Sequence, residues 1–319
     1  MGQHALGHPV SLIIADTNEN FYEIAWNVRL QFVASLISEG ETNLHRVIRK
    51  LESFERRYRL SVERGSLHAL DHGSGDQEFL GEGFSGKARW VRHESDGRFD
   101  VLPTGVPSYW ESSHRGIPVA VPAYADYSCI PAKWVVDLCR EEFDCIVELG
   151  SGLGRNLFEI YYNGGPAEAR YYACEIASSG RRLTETLAAL EPKLNIVTCT
   201  FDHRRPDFSF LEERGRVLFF TCHSIEQVDR IPENYFDLLA DAADRVTCIH
   251  FEPFGFQIST ASEASKNQER RVREQNWNTN FLQVLKASRK SGKIKIDFMA
   301  QDIFTLDDGT PTSVALWHT

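Results

Sequence analysis

The carboxyl-terminal half of the sequence alternates between short apolar runs and segments with a helical pattern. The apolar runs occupy 145–150, 171–176, 195–200, 217–222 and 246–252. Apolar residues at helical spacing lie between them near 155–163, 178–191 and 229–243, with a shorter candidate helix near 208–213. Strands that are buried on both faces read as continuous apolar runs, and their alternation with helices is typical of a parallel sheet covered on both sides. We therefore predict a doubly wound α/β fold.

The end of the chain predicts a different strand arrangement. A longer helix is expected over roughly 265–290, followed by the runs KIKIDFMAQDIF and PTSVALWHT. Asp308-Gly309 separates these two runs and is a turn signal. The sheet is therefore expected to end in an antiparallel pair, which makes it seven-stranded and mostly parallel.

The amino-terminal region has another character. Two helical patterns cover 21–37 and 44–60, and six glycines within 65–86 predict an irregular loop. The segment KARWVRHESDGRFDVLP predicts a β-hairpin around its Asp-Gly turn. A proline-rich aromatic segment follows and is expected to drape over its surroundings without forming a core element. We therefore predict an amino-terminal helical and hairpin region with an aromatic lid segment, 1–130, and a second domain, 131–319.

Charge and composition exclude several partners. Thirty-five basic and 45 acidic residues give a net charge of −10, so no overall field attracts nucleic acid. The seven cysteines are scattered, and no apolar stretch approaches the ~20 residues of a membrane span. The first twenty residues lack a basic leader, so no signal peptide is expected. We predict a cytoplasmic protein with neither nucleic-acid nor membrane partners.

The stretch ELGSGLGRN, which begins at Glu148, follows a predicted strand and opens a predicted helix. Closely spaced glycines in this context let the backbone approach a ligand. A dinucleotide site requires GxGxxG, whereas Gly150, Gly152 and Gly154 give GxGxG. Arg155 stands where the third dinucleotide glycine would be. A nicotinamide-dependent oxidoreductase therefore remains an alternative that the missing glycine disfavours.

With VELGSGLG at residues 147–154, the chain resembles the class I S-adenosylmethionine-dependent methyltransferases. The resemblance covers roughly 130–319 and includes the predicted strand spacing and the terminal strand pair. It implies S-adenosylmethionine as cofactor and a methyltransferase activity. A non-catalytic module that binds this cofactor, and a protein methyltransferase, are the further alternatives.

The resemblance implies a role for each cofactor-binding candidate. Glu148 would orient the methionine end of the cofactor, although it would also suit loop amides. Glu175, with Ile176 beside it, would bind the ribose hydroxyls, or it would only complement a helix N-terminus. Asp202 would accept from the adenine amine while Phe201 lines the ring, but loop aspartates also serve turns. The cofactor-binding candidates are Glu148, Gly150, Gly152, Gly154, Glu175, Ile176, Phe201 and Asp202.

The stretch LFFTCHSIEQ, residues 218–227, ends the fourth predicted strand in polar residues. In open α/β sheets this end of the strand lies beside the ligand, so His223 is a candidate general base. Ser224 and Gln227 match a capping box that would start the next helix, and Glu226 is a candidate for contact with the acceptor. Alternatively, His223 only bonds a backbone carbonyl. His250 and Glu252, at the end of the fifth predicted strand, are rival candidates for the base.

The aromatic segment 108–131 precedes the cofactor domain. Its side chains would form a wall that excludes water from the acceptor, or they would only pack between elements. The candidates for acceptor binding here are Tyr109, Trp110, His114, Tyr124 and Tyr127.

Two absences narrow the predicted acceptor. The fourth strand lacks the [DN]PP[YF] run of the nucleic-acid and glutamine methyltransferases, and the aspartates that hold magnesium in catechol-type enzymes are missing. His68 and His72 have the i, i+4 spacing of metal ligands but no third partner, so no metal is predicted. We expect metal-independent methylation of a hydroxyl or amine on a small molecule. The acceptor and the oligomeric state are not predicted.

Overall fold

A computed structural model describes the chain in parts. The described residues are 12–13, 18–63, 66–71, 79–80, 87–92, 99–104, 109–114, 117–122, 130–140, 142–212, 214–305 and 310–319. Side chains are described over 22–51 apart from residue 24, and over 130–140, 142–212, 214–304 and 310–319. The chain divides into one compact unit of Met1–Trp110 with Pro122–Tyr124 and a larger one of Glu111–Val121 with Ala125–Thr319.

The smaller unit contains strand β1 (Leu12–Ile13) and helices α1 (Asn18–Ser38) and α2 (Leu44–Arg57). Both predicted helices are confirmed. Their core-facing residues, including Val33, Val47 and Leu51, are buried at three- and four-residue steps. Helix α2 ends before the predicted residue 60 because the chain continues as β2 (Tyr58–Glu63), which pairs antiparallel with β3 (Ser66–Asp71).

One prediction for this part of the chain was wrong. The expected irregular loop 65–86 contains β3 and also β4 (Phe79–Leu80). Its high glycine content suggested a loop, but β3 pairs with β2 and β4 pairs with β5, and this pairing satisfies their backbone N–H and C=O groups. The proline-rich segment forms β7 (Tyr109–His114) and β8 (Ile117–Pro122), a two-stranded sheet. Each strand of such a sheet has an open edge that tolerates proline. The predicted hairpin, β5 (Lys87–Arg92) with β6 (Phe99–Thr104), is confirmed.

The larger unit is built on the predicted seven-stranded, mostly parallel sheet. Its strands are β9 (Cys145–Leu149), β10 (Arg170–Cys174), β11 (Ile196–Cys199), β12 (Arg216–Cys222), β13 (Arg245–Glu252), β14 (Lys295–Thr305) and β15 (Pro311–His318). The spatial order is β11-β10-β9-β12-β13-β15-β14, and β15 runs antiparallel to both neighbours. The direction of chain progression reverses between β9 and β12, which opens a crevice at their carboxyl ends.

Helices connect these strands: α3 (Ile130–Leu138), α4 (Arg155–Tyr162), α5 (Ser178–Ala188), α6 (Tyr235–Ala240), α7 (Gly255–Ile258), α8 (Glu263–Glu274) and α9 (Phe281–Lys290). The helix expected at 208–213 is absent from the described residues 208–212, where residues 209–210 form a turn. The single helix expected over 265–290 is divided. Asn276 has a left-handed φ of 53°, and the Asn278 side chain accepts the Phe281 N–H and begins α9 anew.

Candidate functional site

The glycine turn occupies the carboxyl end of β9. Gly150, Gly152 and Gly154 have φ values of 80°, 55° and 78°, which side-chain-bearing residues rarely adopt. The Gly150 and Ser151 N–H groups both donate to the Cys174 carbonyl, at 2.7 and 2.9 Å. A Cβ at Gly150 would lie 2.3 Å from the Ser224 Cβ. The glycines therefore bring this backbone against both neighbouring strand ends.

Glu175 follows β10 and holds the glycine turn from the side. One carboxylate oxygen accepts the Gly152 N–H at 2.9 Å, and the other accepts the Ala177 N–H at 2.9 Å. Burial raises the pKa of the carboxyl, while those two N–H groups and the nearby Arg181 lower it. Each oxygen keeps a second lone pair with which it can accept from a ligand.

Glu148 lies in β9, two residues before Gly150, and is buried. Asn156 donates to its Oε1 at 2.6 Å, whereas Oε2 has no partner. Burial, with Glu175 nearby, raises its pKa to about 8. The adjacent Ser151 hydroxyl is also buried without a partner. Unsatisfied buried polar atoms are rare in proteins, so two of them beside the turn indicate a place for a ligand.

The loop after β11 brings Phe201 and Asp202 to the same edge. Phe201 is buried, with its ring edge-to-face with His203 at 5.2 Å. Asp202 is half-buried, and its carboxylate accepts the Arg204 N–H at 2.9 Å, the turn contact that loop aspartates often make. Ile176, after Glu175, is also half-buried.

His223 directly follows β12 and has a strained backbone conformation. Its φ of 49° places it in the left-handed region, where a non-glycine residue marks a constrained position. Nδ1 lies 3.2 Å from Glu226 Oε1, and Nε2 lies 2.7 Å from the Thr312 hydroxyl. The side chain retains 17% exposure. His223 is thus a part-exposed imidazole between a carboxylate and a hydroxyl.

The predicted capping box of Ser224 and Gln227 was wrong. Residues Ile225–Gln227 form a single 3₁₀ turn, and Ser224 makes no side-chain cap. Its hydroxyl donates instead to the Leu149 carbonyl at 2.7 Å, and the Gln227 amide donates to Glu226. Ser224 packs directly against Gly150, which brings its hydroxyl within reach of the carbonyl at the end of β9.

Glu252 performs the capping that the sequence assigned to Ser224. From the end of β13, its Oε1 accepts the N–H groups of Ser224 and Ile225, and Oε2 accepts that of Glu226, at 3.1–3.3 Å. Burial, with the charge of Glu226, raises its pKa to about 7. Both carboxylate oxygens of this candidate base therefore already accept hydrogen bonds from the backbone of the turn directly after His223.

His250 lies in the core, fully buried between β12 and β15. Trp317 donates to its Nε2 at 3.0 Å, so Nδ1 carries the hydrogen and donates to the Thr221 hydroxyl at 3.0 Å. The ring also packs edge-to-face with Phe236 and Phe281. Burial lowers the pKa of His250 to about 3. Its contacts and neutral state are those of a structural histidine, and this argues against a base role.

His203 belongs to the site but was not among the candidates. Its Nδ1 lies 2.8 Å from the Tyr235 hydroxyl and its Nε2 lies 3.2 Å from the Ser224 hydroxyl. Because Ser224 donates to Leu149, it accepts from Nε2–H, and Tyr235 then donates to Nδ1. This buried chain ties the strand ends together. No sequence signal marked it, since its partners are 21 and 32 residues away.

Some predictions concern residues whose side chains lie outside the described part. Tyr109, Trp110 and His114 have a described backbone in β7, whereas Tyr124 and Tyr127 are not described. Their contact with an acceptor stays a prediction. His68 lies in strand β3, so the helical spacing that related it to His72 does not apply. Across the described residues, no three His, Cys, Asp or Glu side chains are grouped to hold a metal.

Sequence comparisons return no relatives. No protein-family model matches the chain, and no curated protein matches it significantly. Within the described residues, no helix is long and apolar enough to cross a membrane.

Structure comparison returns methyltransferases at low similarity. A SAM-dependent methyltransferase from Aquifex aeolicus has 10% identity and a TM-score of 0.41, covering 59% of this chain and 88% of its own. Geranyl diphosphate C-methyltransferase from Streptomyces coelicolor A3(2), in complex with Mg²⁺, geranyl diphosphate and S-adenosyl-L-homocysteine, has 12% identity and a TM-score of 0.41 over 60% and 78%. Magnesium protoporphyrin IX methyltransferase from Synechocystis PCC 6803, with bound SAH, has 12% identity and a TM-score of 0.40 over 60% and 83%. At these scores, the fold rests on the strand order of the sheet itself.

Proposed function

We propose that the chain is an S-adenosylmethionine-dependent methyltransferase. The observation that carries the proposal is the edge at β9 and β10, where a left-handed glycine turn lies between the Glu175 carboxylate and the unpartnered Oε2 of Glu148. A nucleoside carrying an amino acid offers the groups that these residues lack: hydroxyl donors for Glu175 and an ammonium for Glu148. When bound, this cofactor supplies an electrophilic methyl carbon.

Each side of the cofactor would have its own residues. Gly150, Gly152 and Gly154 leave room for close approach, and Glu148 with Ser151 would hold the amino-acid end. Glu175 would accept from the ribose hydroxyls, with Ile176 against the sugar. Phe201 and Asp202 would take the adenine ring and its amine. These residues stand on three neighbouring strand ends, which matches an elongated ligand lying across the crevice.

His223 is the favoured base for the acceptor. A base must be stable after it gains a proton, and both neighbours of the ring can accept hydrogen bonds from an imidazolium: Glu226 Oε1 and the Thr312 hydroxyl. The Glu252 carboxylate accepts backbone N–H groups of the turn that follows His223. Thr221 lies between Glu252 and His250 and contacts both side chains. We therefore assign Glu252 and His250 to positioning.

The remaining assignments extend the proposal. The acceptor would be a small molecule methylated without a metal, in the cytoplasm, with the region 1–130 selecting it. The aromatic residues of 108–131 would line its site. The missing third dinucleotide glycine disfavours a nicotinamide cofactor, as the helix α4 starts directly at Arg155.

Calorimetry with S-adenosylhomocysteine, compared with NAD, tests the cofactor assignment. We expect saturable binding of S-adenosylhomocysteine and none of NAD. Glu175→Gln should weaken that binding about tenfold or more, because the amide presents N–H groups where ribose hydroxyls and the Gly152 N–H need acceptors. The matched control is Glu168→Gln, which changes an exposed carboxylate outside the site. Saturable NAD binding without a response to S-adenosylhomocysteine would overturn the proposal.

A further inference from the structure

Three buried carboxyl groups converge at the carboxyl end of β12. Glu148 arrives from β9, Glu252 from β13 and Glu226 from the 3₁₀ turn. Burial raises the pKa of the Cys222 thiol, and these three neighbouring carboxyl groups raise it further. In the described part of the chain, no lysine or arginine forms an ion pair with any of the three. Within the described residues, the one ion pair of this group joins Glu226 to His223, which carries a charge only when its imidazole is protonated.

Glu226 is the member of this group whose environment points to a ligand. Its side chain is only 8% exposed. Oε1 contacts His223 and accepts from the Gln227 amide at 2.8 Å, but Oε2 is buried without a partner. Both oxygens of Glu252 accept backbone N–H groups. In the proposed function, the free oxygen of Glu148 binds the ammonium group of the cofactor. Glu226 Oε2 therefore remains for another donor.

The charge of that donor follows from its surroundings. A hydroxyl would satisfy the lone pair of Oε2 but would leave the Glu226 carboxylate without a counter-charge while His223 is neutral. A cationic N–H group would do both, because charge-assisted hydrogen bonds are about twice as strong as neutral ones. Removing a carboxylate from water without a counter-charge is costly. The buried Glu226 carboxylate is therefore expected to favour a positively charged ligand over a neutral one.

We infer that Glu226 Oε2 binds the protonated nitrogen of the methyl acceptor, so that the acceptor is an organic amine that arrives as an ammonium ion. This inference rests on the proposed methyltransferase function and narrows its acceptor from a hydroxyl or amine to an amine. Glu226 then selects the acceptor, while His223, 3.2 Å from its Oε1, stands next to the nitrogen that must lose a proton.

The chemistry balances with these two residues. The ammonium gives one proton to neutral His223, which frees the nitrogen lone pair. That lone pair forms the new N–C bond as the methyl carbon leaves sulfur, and the electrons of the broken C–S bond stay on the sulfur. The product keeps a positive nitrogen, which the Glu226 carboxylate still offsets, and His223 releases its proton to solvent.

The test measures binding rather than turnover. Protein saturated with S-adenosylhomocysteine is titrated at pH 7.5 with methylammonium, ethylammonium and benzylammonium, and with methanol, ethanol and benzyl alcohol as uncharged counterparts. Affinity is followed by calorimetry and by the rise in unfolding temperature. We expect at least one ammonium ion to bind at least tenfold more tightly than its alcohol. Glu226→Gln should remove that preference, because the amide cannot offset the charge.

Two further variants keep the outcome interpretable. Glu233→Gln changes an exposed carboxylate close in sequence to the turn and should leave the preference intact. Glu226→Asp retains the charge on a shorter side chain and should bind ammonium more weakly than the parent but better than Glu226→Gln. Equal affinity for ammonium ions and alcohols, with S-adenosylhomocysteine still bound, would overturn the acceptor class and leave the methyltransferase proposal standing. If the parent protein did not bind S-adenosylhomocysteine, both the acceptor class and the methyltransferase proposal would be overturned.

Discussion

His223, directly after β12, and His250, within the neighbouring strand β13, have opposite environments. His223 is at the strand end, part-exposed, in a left-handed conformation, and it lies between a carboxylate and a hydroxyl. His250 lies in an aromatic core, where Thr221 and Trp317 occupy its two nitrogens. A histidine prepared to gain a proton needs neighbours that accept from both nitrogens, whereas a donor such as the Trp317 indole fixes a histidine in the neutral form.

The largest expected effect separates the two histidines by activity. His223→Asn retains a residue that tolerates the left-handed backbone but removes the base. We expect turnover of the acceptor to fall by about 10²-fold or more, with S-adenosylhomocysteine affinity within about twofold of the parent. Steady-state kinetics and calorimetry provide the two measurements. Full turnover in this variant would remove His223 from the base assignment.

The second effect separates them by stability. His250→Ala leaves a cavity and deprives the Trp317 N–H of its buried acceptor, so unfolding should cost about 2–4 kcal/mol less in denaturant titrations. Turnover per folded molecule should stay within severalfold of the parent. A stable His250→Ala protein with turnover as low as that of His223→Asn would reverse the comparison.

The third effect is a pH dependence at Glu148. Its pKa of about 8 means that the carboxyl is largely neutral at pH 7, whereas an ammonium partner requires the carboxylate. S-adenosylhomocysteine affinity should therefore rise between pH 6.5 and 8, by roughly tenfold per unit at most. Glu148→Gln should flatten this rise, as measured by calorimetry in buffers of different ionisation enthalpy. A parent affinity that does not change with pH would contradict the assigned partner.

The same pKa has a consequence for folding. Glu148 has a higher pKa in the folded chain than the usual 4.5, so its neutral form stabilises the fold below pH 4.5 and this contribution is lost as pH rises through about 8. Glu148→Gln should accordingly show less loss of unfolding free energy between pH 5 and 8 than the parent. If the unfolding free energy changed equally with pH in parent and variant, the Glu148 pKa would not be raised in the folded chain.

The smallest expected effect probes the buried chain that supports the glycine turn. Tyr235→Phe removes the hydroxyl that donates to His203 Nδ1 and should cost about 1–2 kcal/mol of unfolding free energy. Without that hydroxyl the His203 ring is held less firmly, and so is Ser224, which bonds both His203 and the Leu149 carbonyl beside the glycine turn. S-adenosylhomocysteine affinity should therefore fall severalfold. An unchanged affinity would limit this chain to a role in stability.

Local patterns explain why so much of the larger unit could be predicted. Buried strands such as β9 and β12 require continuous apolar runs, and the left-handed positions at Gly150, Gly152 and Gly154 require glycine. Both requirements are met within a few residues of sequence. The two-stranded sheet β7–β8 and the break at Asn276 were missed because pairing and capping there depend on residues whose local pattern is ambiguous.

The sequence by itself determined the alternation of strands and helices, the glycine turn and the acidic residues at the carboxyl ends of β9 and β10. The tertiary structure alone decided what each polar side chain does. Glu252 reaches a turn 26–28 residues earlier in the chain, and His203 reaches Ser224 and Tyr235 across the strand ends. The physical reason is that hydrogen bonds depend on distances of about 3 Å, which the order of strands in the sheet sets. That order placed His250 in the core and left His223, with Glu226, at the edge.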